Sequence, residues 1–82
     1  MILAQLAYVI NNRDKKMLKK FGKHLRELRL SRNYSQEELA FRCNFSKNQI
    51  GNIERGEVNP TLSTIIQLSE QLAFPIPELL NF

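Results

Sequence analysis

The chain has no tryptophan, one cysteine (Cys43) and one histidine (His24). A single cysteine excludes an intramolecular disulfide, and one cysteine with one histidine cannot build a structural zinc site. No metal or other cofactor is expected. The lone thiol fits a reducing compartment, and a cytoplasmic location is expected. A redox switch at Cys43 would need a neighbour that lowers the thiol pKa, and none is evident; a small buried apolar role fits better. No apolar run approaches the ~20 residues that span a bilayer. The strongest one, residues 1–10 (MILAQLAYVI), has no basic residues before it and no small-residue cleavage site after it, so a signal peptide is a poor fit. No membrane partner is expected. Also missing are a glycine-rich phosphate loop, a carboxylate pair and a nucleophile at a recognisable spacing from His24, so an enzyme is not expected. Glu37, Glu38, Glu54 and Glu57 are explained as cap, helix-dipole and ion-pair groups. No stretch shows firm β alternation, and no internal repeat or low-complexity tract is present.

What remains is a chain of 82 residues with 43% hydrophobic content, enough for one small domain. A domain of this size buries about 60–65% of its unfolded surface, so its stability is modest and a partner subunit can add to it. The net charge is +4, with a pI near 9.6. That balance favours an anionic partner without separating DNA from RNA or an acidic protein.

Residues 1–10 have two readings of comparable weight. They are an extra helix or strand packed on the domain, or an exposed apolar arm buried only in a dimer. The tract NNRD at 11–14 is read as a break, with Asn12 or Asp14 as a cap. Residues 1–12 would then form an added element and 15–82 the domain proper. A helix is expected over 15–32, with Met17 or Leu18, Phe21, Leu25 and Leu28 as its buried stripe. Lys16, Lys19, Lys20, Lys23 and Arg26 lie off that stripe, as a solvated face or as phosphate contacts. His24 reads as a surface residue without a special role. Asn33 can take the left-handed conformation of a C-terminal cap, and Tyr34 packs under the next helix.

Residues 35–56 (SQEELAFRCNFSKNQIGNIERG) hold two short helical patterns, 36–43 and 47–55, separated by a break too tight for a flexible loop. Ser35 with Glu38, and Ser46 with Gln49, have capping-box spacing. Leu39, Ala40, Cys43, Ile50 and Ile53 can share one core, with Phe45 as a plug. Lys47, Asn48, Gln49, Asn52 and Arg55 stay outside, and such side chains hydrogen-bond base edges and phosphates. Gly51 is costly inside a helix, by ~1 kcal/mol relative to alanine. A clash of any larger side chain with the preceding helix or with a nucleic-acid backbone would account for it. Gly56 ends the second helix. Thr61 caps a helix over 62–72 whose inner face is Leu62, Ile65, Ile66, Ser69, Leu72 and Ala73, with Leu68 to one side as a dimer contact. Pro77 suits the first position of a last turn over 78–80. Phe82 has no obvious home within one subunit.

With those residues laid out, the chain resembles the phage repressor and Cro-type (XRE-like) helix-turn-helix family. The likeness runs from about Phe21 to Leu80, through FGKHLRELRLSRNYSQEELA, IGNIERG and NPTLSTIIQLSEQL. It implies an all-α, compact five-helix bundle of the lambda-repressor kind, here with an additional apolar N-terminal segment. The first motif helix would cross the DNA backbone and the second, the recognition helix, would enter the major groove. By the same resemblance Gln36 would meet a phosphate at a helix N-terminus. Lys47, Asn48 and Asn52 would reach base edges, and Ser46, Gln49 and Arg55 would lie near the backbone or the edge of the site. Arg29 and Glu54 match a partly buried ion pair between the first and third helices. Asn44 and Asn33 stand where the family more often has glycine, and Gly51 where it more often has serine.

The function this implies is a sequence-specific transcriptional regulator of repressor type, a homodimer on a two-fold-related stretch of double-stranded DNA. The chain leaves no room for a ligand-sensing domain. Phage repressors, restriction–modification controllers and autorepressing antitoxins are all of this size. The alternative is a protein-interaction module, such as an antitoxin or adaptor, that contacts a toxin or another regulator through its apolar termini. Salt separates the two, because phosphate contacts make DNA affinity fall steeply with salt and an apolar interface does not.

Overall fold

A computed structural model describes the backbone of residues 2–82 and the side chains from Asp14 onward. The packing expected of residues 1–10, as a covering element or as a dimer arm, falls on side chains outside that range. The described residues form five helices and no strand: α1 (Ile2–Ser31), α2 (Gln36–Cys43), α3 (Lys47–Glu54), α4 (Leu62–Leu72) and α5 (Ile76–Leu79). The all-α expectation holds. The break expected at 11–14 does not, because α1 runs through it without a cap at Asn12 or Asp14. Asn and Asp cost a helix interior no more than about 0.7 kcal/mol each. Neither glycine nor proline occurs before Gly22 to stop the helix.

Local signals set the other ends. The Ser35 hydroxyl accepts the Glu38 N–H at 3.0 Å. Ser46 does the same for Gln49 at 3.1 Å, and Thr61 for Thr64 at 3.2 Å. The carboxylate of Glu38 does not reach back to complete a capping box, because it takes Arg42 Nε at 3.0 Å instead. Asn33, Asn44 and Gly56 occupy the left-handed region at φ 61°, 58° and 72°. Ala73 joins them at φ 57° as the cap of α4, exposed and not on its inner face. Two boundaries shift by a residue or two. Arg55 is the cap of α3 and not its last helical residue. In α5 Pro75 is the N-cap, so Pro77 takes the second helical position.

The core joins Phe21, Leu25 and Leu28 of α1 with Leu39, Ala40 and Cys43 of α2, Ile50 and Ile53 of α3, three residues of α4, and Leu79. Tyr34, Phe45, Phe74 and Ile76 close its edges. Leu18 joins the stripe half-buried, while Met17 stays exposed. Burial pushes the Cys43 thiol up to about 11 from 9.0, so it stays protonated and poorly nucleophilic.

In α4 the buried stripe is rotated from the expected one. Ile65, Leu68, Ser69 and Leu72 face inward, whereas Leu62 is 72% and Ile66 39% exposed. Leu68 is fully buried in its own subunit and is no dimer contact. Apolar residues cover so much of this helix that periodicity alone leaves its rotation open. Packing against α2 and α5 decides it.

Three side chains acquire roles that local sequence did not announce. His24 Nε2–H donates to the carbonyl of Glu78 at 2.8 Å and ties α1 to α5. Arg32 donates to the carbonyls of Leu72 at 2.8 Å and Ala73 at 3.1 Å. Its guanidinium lies 4.0 Å from the Phe74 ring centroid, a cation at the negative end of α4. Phe82 does find a home, edge-to-face on Phe21 with centroids 5.7 Å apart.

α1 and α3 approach each other closely at Gly22. A Cβ there would sit 2.4 Å from the carbonyl oxygen of Glu54 and 2.5 Å from that of Ile53. At Gly51 the nearest atoms to an added Cβ are those of the flexible Arg55 guanidinium, at 2.9 Å, so the preceding helix does not forbid it there. We expect Gly22→Ala to destabilise by about 1–3 kcal/mol through backbone overpacking. Gly51→Ala is expected to be neutral or to stabilise by up to ~1 kcal/mol through helix propensity. Urea denaturation of the two variants measures both, and equal effects would contradict the assignment.

Candidate nucleic-acid interface

The interface is built on a buried polar junction. Arg29 of α1 grips Glu54 at the end of α3 with two hydrogen bonds, Nε to Oε2 at 2.6 Å and Nη2 to Oε1 at 3.1 Å. Their side chains are only 7% and 4% exposed. The third guanidinium nitrogen donates to the Tyr34 carbonyl at 2.8 Å. The Gln36 amide donates to Glu54 Oε1 at 3.0 Å. One carboxylate thus pins the end of α1, the turn after it, the start of α2 and the end of α3. Arg42 stacks on the Tyr34 ring at 4.3 Å and steadies the same corner. Among the described residues no buried side-chain nitrogen or oxygen lacks a partner.

The junction determines which way α3 faces. Ile50, Gly51 and Ile53 are buried, and Glu54 points into the ion pair. Helical geometry then turns Asn48, Asn52 and Arg55 outward along one arc, with Lys47 and Gln49 on its flanks. Asn48 is exposed, and among the described residues its side chain makes no hydrogen bond within the molecule. Asn52 is half-buried, and its carbonyl oxygen accepts from Arg55 Nη2. The rest of the Arg55 guanidinium folds back over Gly51 and holds Glu57 through Nε at 3.1 Å. Asn52 therefore has its oxygen partly engaged within the molecule, while among the described residues Asn48 has neither its oxygen nor its NH₂ engaged. Lys47 sits on the α2 side, 3.2 Å from Glu37 in an exposed pair. Such a pair contributes at most about 1 kcal/mol and exchanges readily for a phosphate. Gln49 turns to the other flank, half-buried beside Val58, Asn59 and Thr64. The Ser46 hydroxyl oxygen is occupied as the α3 cap.

Gln36 sits differently from its neighbours. Its carboxamide nitrogen is committed to Glu54, so what α2 offers an anion is the unpaired N–H groups of its first turn. Sequence reasoning did not foresee the Gln36–Glu54 bond or the Asn52–Arg55–Glu57 chain. Only their spacings, three and two residues in the second case, gave a local hint.

A helix-turn-helix family profile (HTH_3) matches residues 25–79, which include all of α2, α3, α4 and α5. The chain belongs to the HTH_3 helix-turn-helix family. It is a DNA-binding transcriptional regulator, as members of that family are, and not an enzyme. The control protein C.BamHI of Bacillus amyloliquefaciens is 43% identical over 63 residues, covering 76% of this chain and 78% of its own. The cryptic phage CTXphi repressor RstR of Vibrio cholerae is 34% identical over 61 residues, 74% of this chain and 55% of that one. The crystal structure of the restriction-modification controller protein C.AhdI from Aeromonas hydrophila superposes with a TM-score of 0.74 at 42% identity, over 76% of this chain and 94% of that one. No helix among the described residues is long and apolar enough to cross a membrane, and no group of His, Cys, Asp and Glu among them could hold a metal ion.

In this helix-turn-helix protein the Arg29–Glu54 pair is the point of greatest leverage. Arg29→Met or Glu54→Leu alone leaves an unpaired buried charge and is expected to cost about 3–5 kcal/mol. Replacing both together, as Arg29→Met with Glu54→Leu, should recover a large part of that loss. A double-mutant cycle by chemical denaturation checks this, and additive losses would refute the coupling.

Proposed function

We propose that the chain acts as a homodimeric regulator of the controller kind, with α3 of each subunit in the major groove of a two-fold-related operator. The observation that carries this is the outward arc of Asn48, Asn52 and Arg55 on a helix whose other face is locked by Ile50, Ile53 and Glu54. Asn48, with donor and acceptor both free, suits adenine N6 and N7. Asn52, whose oxygen already accepts from Arg55, suits the acceptors of guanine or thymine through its NH₂. Lys47 reaches guanine or a phosphate after releasing Glu37. Ser46, Gln49 and Arg55 stand at the rim, and the first turn of α2 at Gln36 takes a phosphate of the same strand.

One such helix reads few base pairs, so specificity needs two half-sites about 34 Å apart and a second subunit. The exposed strip Leu62–Ile66 on α4 is the surface we assign to that contact. Two large apolar side chains one turn apart are exposed there. Control–protein relatives at 41–43% identity support the controller reading over that of a phage repressor.

Two measurements test this. Asn48→Ala should relax the base preference at one position per half-site by about 1–3 kcal/mol, roughly 5- to 150-fold. A binding selection that returns the wild-type motif sinks the assignment. Leu62→Glu with Ile66→Glu should convert a dimer to a folded monomer in sedimentation, since neither side chain supports the core. A sedimentation coefficient equal to that of the wild type would move the interface elsewhere.

A further inference from the structure

Four of the five lysines of α1 fall into two groups once the helix is packed. Lys15 and Lys19, one turn apart, line a groove of about 690 Å³ together with Leu18, Arg55, Gly56 and Glu57. Lys20 and Lys23 line a separate depression beside α5, with His24, Glu27 and Phe82. Only the first group is continuous with the reading face. Arg55 lies in that groove, and the same guanidinium hydrogen-bonds Asn52 on the outward arc of α3. The root of Lys19 is held against the turn after α3. A Cβ on Gly56 would fall 2.7 Å from Lys19 Cγ and 2.7 Å from its backbone nitrogen, so the bare glycine lets α1 lie flat there.

The charges in this groove are unbalanced. Its one carboxylate, Glu57, is already held by Arg55 Nε. Among the described residues neither Lys15 nor Lys19 has an acidic partner within ion-pair distance. The sequence of α1 contains only two acids, Asp14 and Glu27, and Glu27 lies in the other depression. Unpaired ammonium groups beside a duplex-reading face attract backbone phosphate, as point charges that carry no sequence information.

We propose that Lys15 and Lys19, which lie outside the conserved-domain match at residues 25–79, bind DNA phosphates that flank the base pairs read by α3. They lengthen the footprint along α1. This rests on the DNA-binding reading above, and the test separates the two. Operator affinity is measured by fluorescence anisotropy between about 50 and 200 mM salt for the wild type, Lys15→Gln/Lys19→Gln and Lys20→Gln/Lys23→Gln. Each phosphate contact contributes about 0.9 to the slope of log K against log salt. The first variant loses two contacts in each subunit of the dimer and should be shallower by about 3.6, with unchanged base preference, and the second should match the wild type. A wild-type slope in the first variant overturns the proposal alone. So does an equal loss in both, which would mean the lysines act only through net charge. Wild-type protein without salt-dependent DNA binding overturns the underlying reading as well. All four side chains are exposed, and circular dichroism confirms that each variant is folded.

Discussion

A single buried carboxylate holds this molecule in its working shape. Glu54 is bonded twice to Arg29 and once to Gln36, and Arg29 in turn holds the carbonyl of Tyr34. Three helices and one turn meet at that point. Two charges taken from water gain little in net stability. What they supply is direction. A greasy contact would tolerate rotation of α3, whereas a bidentate fork accepts one orientation only. The rotation of α3 decides which of its residues meet solvent, and therefore which can meet a base pair.

The scaffold continues this constraint down to single atoms of the reading face. Gly22 lets α1 press on the carbonyls at the end of α3, so the helix is fixed along its axis as well as about it. Gly51 leaves room for the Arg55 guanidinium to fold back and engage the Asn52 oxygen. Two asparagines four residues apart then differ, one with its oxygen engaged by Arg55 and the other with no intramolecular partner among the described residues. Preorganised side chains of this kind lose less rotamer freedom on binding. The Lys47–Glu37 pair and the capped Ser46 keep the helix entrance ordered without closing it to an incoming phosphate.

Much of the fold was legible because its signals are local. Ser35, Ser46 and Thr61 announced their helices, and Asn33, Asn44 and Gly56 announced the ends. The Leu39–Ala40–Cys43 and Ile50–Ile53 sets followed from period alone. The errors came where no local cue exists. A helix through NNRD, the inward turn of Leu68, the exposure of Leu62 and the positive φ of Ala73 each depend on what lies opposite. His24 looked like an ordinary surface residue and nothing local singled out Arg32 until carbonyls 54 and 40 residues away were brought to them. In the site, the outward face of α3 was readable from periodicity. The resemblance supplied the Arg29–Glu54 match, and the commitment of Gln36 and Asn52 to intramolecular partners was not readable at all.

By itself the sequence determined where most helices begin and end, and which residue types α3 can offer a duplex. Those properties depend on interactions within about four residues, and a linear pattern records them. Tertiary structure alone decided how far α4 turns, which lysines of α1 lie beside Arg55 and which partners Gln36 and Asn52 engage. Each is settled by a contact across the chain, from the ion pair at Glu54 to the glycine at 56, and a side chain's free valence is what remains after those contacts are made.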